Sequence, residues 1–244
     1  MRHLQTLPFL LPVAAAATPA FILAGDSTTA VQAANGGGWG NGFLSFLISP
    51  ATGVNKGHNG ATTKSFVDGG DWDVVKGLVS DYKDDDGDDV YVTVQFGHND
   101  QKDTSGVSLE QFEKNLVALA GDVKAWGGTP LLITPLTRRS FTSNNTASDS
   151  LHDQRLATIS AASTAGATYL DLNAASLAYV DAIGEDAAHA YNLKEDDNTH
   201  LNAWGSVVFG RIVADLLLEK KPELGQWIKA NETMSRLIQE GLPA

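Results

Sequence analysis

The feature that most constrains this chain is an alternation of two kinds of segment. Short apolar runs that end at Gly, Pro or a polar turn are separated by longer stretches with helical spacing. FILAG (21–25), VYVTVQF (90–96), PLLITP (130–135) and ATYLDL (167–172) are rich in aliphatic, β-branched and aromatic residues and read as strands. TGVN (52–55) reads as a short fifth strand. These runs are nearly continuous in apolar character, as expected of strands covered on both faces. Between them, helices are expected over 71–82, 108–126, 148–166 and 203–219. In the second of these, Phe112, Leu116, Leu119 and Val123 recur at spacings of three and four, and Ser108 with Gln111 has the pattern of a capping box. Strands alternating with helices predict an α/β fold with a central parallel sheet of about five strands. No linker or internal repeat interrupts the pattern, so residues 21–244 read as a single domain, with 222–244 as a peripheral C-terminal extension.

The balance of charge narrows the partners. The chain has 244 residues and a formal net charge of −12. Such a field repels polyanions, and no basic run offsets it locally, so nucleic acid and anionic membranes are not expected partners. There is no cysteine, which excludes disulfides, thiolate nucleophiles and cysteine-ligated metals. Residues 1–20, MRHLQTLPFLLPVAAAATPA, place Arg2 before a Leu-rich centre and an Ala-rich end. That layout predicts a secretory signal peptide cleaved near 16–20, and hence an extracellular protein. Pro8 and Pro12 argue against a buried N-terminal helix. Sequons at Asn144 and Asn231 suit N-glycosylation of a secreted chain. The acidic stretch DYKDDDGDD (81–89) has Tyr82 where a calcium-binding loop needs Asp, and reads as a solvated turn before a strand.

Ligands of open α/β sheets bind beyond the carboxyl ends of the strands. Two strands end there in unusual polar groups: Gly-Asp-Ser at 25–27 and Gly-His-Asn-Asp at 97–100. A serine hydroxyl becomes a useful nucleophile only beside an oriented base. His200, with Asp197 three residues before it, has a spacing that brings a carboxylate against one ring nitrogen and leaves the other free for Ser27. Asp197 and Asn198 read equally well as helix caps, and His200 as a surface histidine. The Asn99 side chain and the backbone N–H of Gly60, in the loop NKGHNG, are candidate donors to an oxyanion. Each also reads as part of an ordinary polar turn.

Taken together, GDSTTA, NGATTKSF, VQFGHND and DDNTHLNAWG resemble the sequence blocks of the SGNH, or GDSL-type, hydrolases, and most of all the fungal rhamnogalacturonan acetylesterases. The resemblance runs from Phe21 to about Leu218. It implies a three-layer α/β/α, flavodoxin-like fold. It further implies Ser27 as nucleophile, His200 as base, Asp197 as its partner, and an oxyanion hole from Ser27, Gly60 and Asn99. Such enzymes work without a metal or organic cofactor and remove acetyl esters from pectin. The absence of disulfides departs from the fungal pattern.

The substrate implied is an acetylated polysaccharide or oligosaccharide, and the protein is expected to be a monomer. Arg138 and Arg139 follow a strand on the functional face, and one of them is a candidate contact for a substrate carboxylate; a structural salt bridge is the competing role. Trp39 and Trp204 are candidates for sugar stacking or core packing. Two other functions stay open: an acetylxylan esterase or small lipase of the same superfamily, and a non-catalytic carbohydrate-binding protein. The chain lacks G-x-S-x-G, H-E-x-x-H, a Walker A loop and a dinucleotide fingerprint.

Overall fold

A computed structural model describes residues 17–31, 36–85 and 89–244. Of the leader read over 1–20, residues 1–16 lie outside these residues. Five parallel strands form the central sheet: β1 (Pro19–Gly25), β3 (Thr52–Asn55), β4 (Asp89–Gln95), β5 (Thr129–Ile133) and β6 (Thr168–Leu170). Their spatial order is β3-β1-β4-β5-β6, the flavodoxin-like order, with β4 central and β1 beside it, paired along its whole length to β4. A separate two-residue ladder joins β2 (Gly36–Gly37) to β7 (Leu201–Asn202) in antiparallel sense.

The helices are α1 (Gly40–Leu44), α2 (Thr63–Asp68), α3 (Asp71–Asp85), α4 (Leu109–Ala125), α5 (His152–Ala165), α6 (Leu172–Ile183), α7 (Glu185–His189), α8 (Ala203–Lys220) and α9 (Glu232–Gln239). They form the two outer layers because successive strand side chains point to opposite faces. Along β1, Phe21 and Leu23 enter a core that includes Phe43 of α1, Tyr179 of α6 and Phe209 of α8. Ile22 and Ala24 enter the opposite core with Phe66 of α2, Val75 of α3, Leu116 of α4 and Ala161 of α5. Every β1 residue is buried. A fully buried Phe, Ile or Leu stabilises the fold by roughly 1.5–3 kcal/mol, so this strand anchors both cores.

Several boundaries differ from the sequence reading. β1 starts two residues early, at Pro19, where it pairs with Asp89. α5 begins at His152 rather than near 148, because Ser148 donates its backbone N–H to Ser140 O and turns the chain first. Ser108 caps α4 by accepting from Gln111 N, but the Gln111 amide donates to Asn115 instead of returning to the cap, so no reciprocal box forms. Thr62 and Ser65 form one at α2. The acidic stretch is a helix end in its first part: residues 81–85 complete α3, and 86–88 lie outside the described residues. Asp171 and Leu172 leave the expected strand, with Asp171 capping α6 through Ala174 N.

The segment 222–244 is more than peripheral. Leu224, Ile228 and Met234 are buried in the same core as α8, and Ile228 bridges Leu47.

Candidate active site

β1 and β4 flank the point where the strand order reverses, and the chain turns sharply at the carboxyl end of each. After β1 comes the turn carrying Asp26, Ser27, Thr28 and Thr29. Asp26 Oδ1 accepts from Thr28 N and from Thr28 Oγ1, both at 2.8 Å. Gln95, the last residue of β4, receives three side-chain hydrogen bonds on one oxygen: from Thr28 at 2.9 Å, Thr29 at 2.8 Å and Trp39 Nε1 at 3.0 Å. All of these side chains are buried. The serine turn is therefore held by its own Asp26–Thr28 bonds and by the threonine bonds to Gln95 of β4, which Trp39 shares.

Ser27 Oγ lies 2.8 Å from His200 Nε2. His200 Nδ1 lies 2.9 Å from Asp197 Oδ2 and 3.1 Å from Oδ1. Asp197 Oδ1 also accepts from the backbone N–H groups of Thr199 and His200, at 3.1 and 2.9 Å. Burial pushes the Asp197 carboxyl up, but the bonds from the His200 backbone and imidazole outweigh it and leave it below the usual carboxylate range. An ionised Asp197 fixes the Nδ1–H tautomer and leaves Nε2 able to take the Ser27 proton. These residues lie in a loop before α8, whose N-cap is Asn202. Asp197 is thus not a helix cap.

The cleft over Ser27 holds about 300 Å³ and is lined by Asn59, Gly60, His98, Asn99, Lys102, Arg138 and Thr199 as well as Ser27 and His200. Gly60 has φ +81°, a conformation open to glycine and strained for other residues. Among the described residues the backbone N–H groups of Ser27 and Gly60 have no hydrogen-bond acceptor. Asn99 Nδ2 donates to Ala61 O at 3.0 Å, and Asn99 Oδ1 accepts from Lys102 Nζ at 2.7 Å. The amide is thereby oriented with its nitrogen towards the Gly60 side of the cleft. Gly97, with φ +134°, lets the chain turn here, and a Cβ there would meet Pro135 at 2.8 Å.

The two arginines part company. Arg138 reaches the cleft and donates to Ser150 Oγ at 2.9 Å. Arg139 is fully buried behind it: Nε donates to Asn192 Oδ1 at 2.6 Å and Nη2 to His200 O at 2.7 Å. Burial lowers its pKa to about 10, so it remains a cation. Arg139 is therefore a strut of the histidine loop and does not face the cleft. Trp39 packs in the core, whereas Trp204 is 53% exposed and does not line the cleft. Asn144 is exposed, and Asn231 caps α9 through Met234 N.

His98 and Lys102 are cleft residues to which sequence reasoning gave no role, and His98 is the more buried of the two. It is 3% exposed, and its Nδ1 lies 3.7 Å from Asp26 Oδ2. Burial pushes its pKa below the usual imidazole range, against the opposing pull of Asp26. Its position between Gly97 and Asn99 was the available signal.

The geometry is that of a serine acyl-transfer site, and comparison with known proteins agrees. The sequence profile described as "GDSL-like Lipase/Acylhydrolase family" matches residues 23–207. The chain belongs to this family. As a GDSL-family member it is a carboxylic ester hydrolase. It is 27% identical to the rhamnogalacturonan acetylesterase RhgT of Bacillus subtilis (strain 168), over 79% of this chain and 87% of that one. It is 28% identical to the probable rhamnogalacturonan acetylesterase YesY of the same organism, over 79% and 89%. These relatives are bacterial, where the sequence blocks suggested fungal ones. Among solved structures, the GDSL-family fold is shared with the Bacillus subtilis protein YXIM (TM-score 0.72, 21% identity, 84% of this chain). The chain spans only 57% of that protein's length. It is also shared with Axe2, an acetylxylan esterase from Geobacillus stearothermophilus (TM-score 0.59, 18% identity, 84% of this chain and 94% of that one).

Proposed function

We propose that this protein is a secreted serine acetylesterase that removes acetyl groups from plant cell-wall polysaccharide, with rhamnogalacturonan as its substrate. The observation that carries the reading is the unbroken relay from Asp197 through His200 to Ser27 Oγ, with the closing contact at 2.8 Å. His200 takes the Ser27 proton as Oγ attacks the acetyl carbonyl carbon. The resulting oxyanion is held by the N–H groups of Ser27 and Gly60 and by Asn99 Nδ2. The C–O bond to the sugar then breaks, and His200 returns the proton to the leaving alcohol. Water, deprotonated by His200, attacks the acetyl-serine by the reverse path and releases acetate. Each step uses only the chain's own groups and water.

Choice of substrate draws on the cleft and on the relatives. Arg138 and Lys102 place two cations around Ser27 in a chain of net charge −12. That local reversal suits a substrate bearing carboxylates, as pectin does. The two Bacillus relatives named for rhamnogalacturonan support the same choice. Likeness to Axe2 favours acetylated xylan as the second reading. Secretion rests on the leader pattern of 1–20, and glycosylation at Asn144 and Asn231 on their sequons.

The deciding assay measures acetate release from acetylated rhamnogalacturonan, acetylated xylan and p-nitrophenyl acetate. The expected result is highest kcat/KM on the first and loss of activity on all three with Ser27→Ala. Activity that survives this change removes Ser27 as nucleophile. A preference for xylan moves the assignment to the second reading.

A further inference from the structure

Beside the catalytic cleft lies a second cavity, of about 410 Å³, with no role in the acyl-transfer steps. Lys102 belongs to the walls of both. The consecutive residues Asn99 and Asp100 line one each, Asn99 the cleft and Asp100 its neighbour. A substrate whose ester sits on Ser27 would pass the Asn99–Lys102 turn as it continues into this space.

The walls have the chemistry of sugar recognition. Asp100 is 3% exposed and its Oδ1 is taken up by Thr63 N at 2.8 Å and Thr63 Oγ1 at 2.6 Å. Its Oδ2 is buried with no hydrogen-bond partner among the described residues. An oxygen left so is costly unless a ligand or water completes it. Asp103 adds a second carboxyl, and Gln154 an amide. Val107 and Leu109 supply an apolar wall, and Leu109 is 44% exposed. Carboxyl oxygens accept from hydroxyls, an amide both donates and accepts, and the aliphatic surface suits the C–H face of a pyranose. A ring bearing a carboxylate would meet Asp100 and Asp103 as like charges against one lining cation, Lys102, whose ammonium is already engaged by Asn99 Oδ1. An uncharged ring would not.

We propose that this cavity is a glycosyl subsite, holding an uncharged sugar residue of the chain next to the acetylated unit. The proposal rests on the polysaccharide reading above and extends it: recognition reaches beyond the acetylated residue, across Lys102.

Two variants outside the catalytic machinery test it. Leu109→Trp fills the cavity from an exposed helix position, and Gln154→Ala removes the amide. Acetylated rhamnogalacturonan oligosaccharides and p-nitrophenyl acetate are compared as substrates. With Leu109→Trp, kcat/KM on the oligosaccharides should fall about tenfold, mainly through KM. With Gln154→Ala it should fall severalfold. The small ester should stay within about twofold of wild type. Oligosaccharide turnover that matches wild type in both variants overturns the subsite while leaving the esterase reading intact. Equal loss on both substrates also overturns it, since p-nitrophenyl acetate carries no sugar ring for the subsite to hold. A wild-type enzyme that hydrolyses only the small ester overturns the polysaccharide reading and this subsite together.

Discussion

Arg138 and Arg139 are adjacent in the chain and opposite in surroundings. Arg138 lines the cleft, while Arg139 is enclosed and ties Asn192 to the carbonyl of His200. Arg138→Gln should raise KM severalfold for a carboxylate-bearing oligosaccharide and spare a neutral acetyl ester. Arg139→Met should lower kcat on both substrates and destabilise the fold by about 2–3 kcal/mol, because two buried acceptors lose their donor. Parallel kinetics and urea melts separate the two roles. The adjacent pair reads identically in sequence; only the path of the chain at 137–139 decides which side chain faces out. Asp100 is a second case. Burial pushes its carboxyl up to about 6 despite two hydrogen bonds from Thr63. Between about pH 4 and 6 the folded state keeps a proton that the unfolded chain has released, so stability from this group falls as pH rises through that window. Asp100→Asn keeps the acceptor at Oδ1 without the charge. It should be more stable than wild type by on the order of 1–2 kcal/mol at pH 7.5, with the gain fading below pH 4. Urea melts at the two pH values check this; an equal gain at both would refute it.

At the scale of elements, the site depends on how α2 begins. Thr62 and Ser65 cap the helix, and Asp100 accepts from Thr63 N, so the loop carrying Gly60 is tied to the turn carrying Asn99. The two proposed oxyanion donors are thereby set by one junction between distant segments. At Gly60 an added Cβ meets nothing within 4 Å, so the only penalty for Gly60→Ala is the left-handed backbone at φ +81°. That strain is about 1–2 kcal/mol. The expected outcome is a fall of about tenfold in kcat as the loop relaxes and its N–H turns away, with a thermal midpoint only a few degrees lower. Unchanged kcat would remove this N–H from the proposed mechanism. The long helices α4 and α8 were legible because their apolar stripes and caps are local. α1, α2 and α7 were not, being six residues or shorter and held by tertiary contacts.

Across the whole molecule, segment 222–244 closes the layer formed by α1, α6 and α8. Ile48 N–H donates to Trp227 O and Lys229 N–H to Phe46 O, so this segment is sewn to the loop after α1. Ile228 is 2% exposed there. Ile228→Ala should cost about 2–4 kcal/mol in chemical denaturation, with kcat/KM at low temperature close to wild type, because Ile228 does not line the cleft. A loss of less than about 1 kcal/mol would mean that the segment is only loosely attached. The acidic charge of the molecule and the cations around its cleft also belong to this scale: net charge is a sum over residues, whereas the reversal at the cleft exists only where Lys102 and Arg138 meet in space.

The order of the five sheet strands and of the long helices α3, α4, α5 and α8, the α/β plan and the candidacy of Ser27, Asn99, Asp197 and His200 were legible in the sequence itself. Strand patterning is a local property, and the Gly-Asp-Ser, Gly-x-Asn-Asp and Asp-x-x-His groups each sit within a few residues. Tertiary structure alone decided that Ser27 and His200, 173 positions apart, approach to 2.8 Å. It also decided which arginine faces the cleft, which carboxyl is raised by burial, and where a second cavity opens beside the first. These depend on distances and desolvation between segments that no local pattern records.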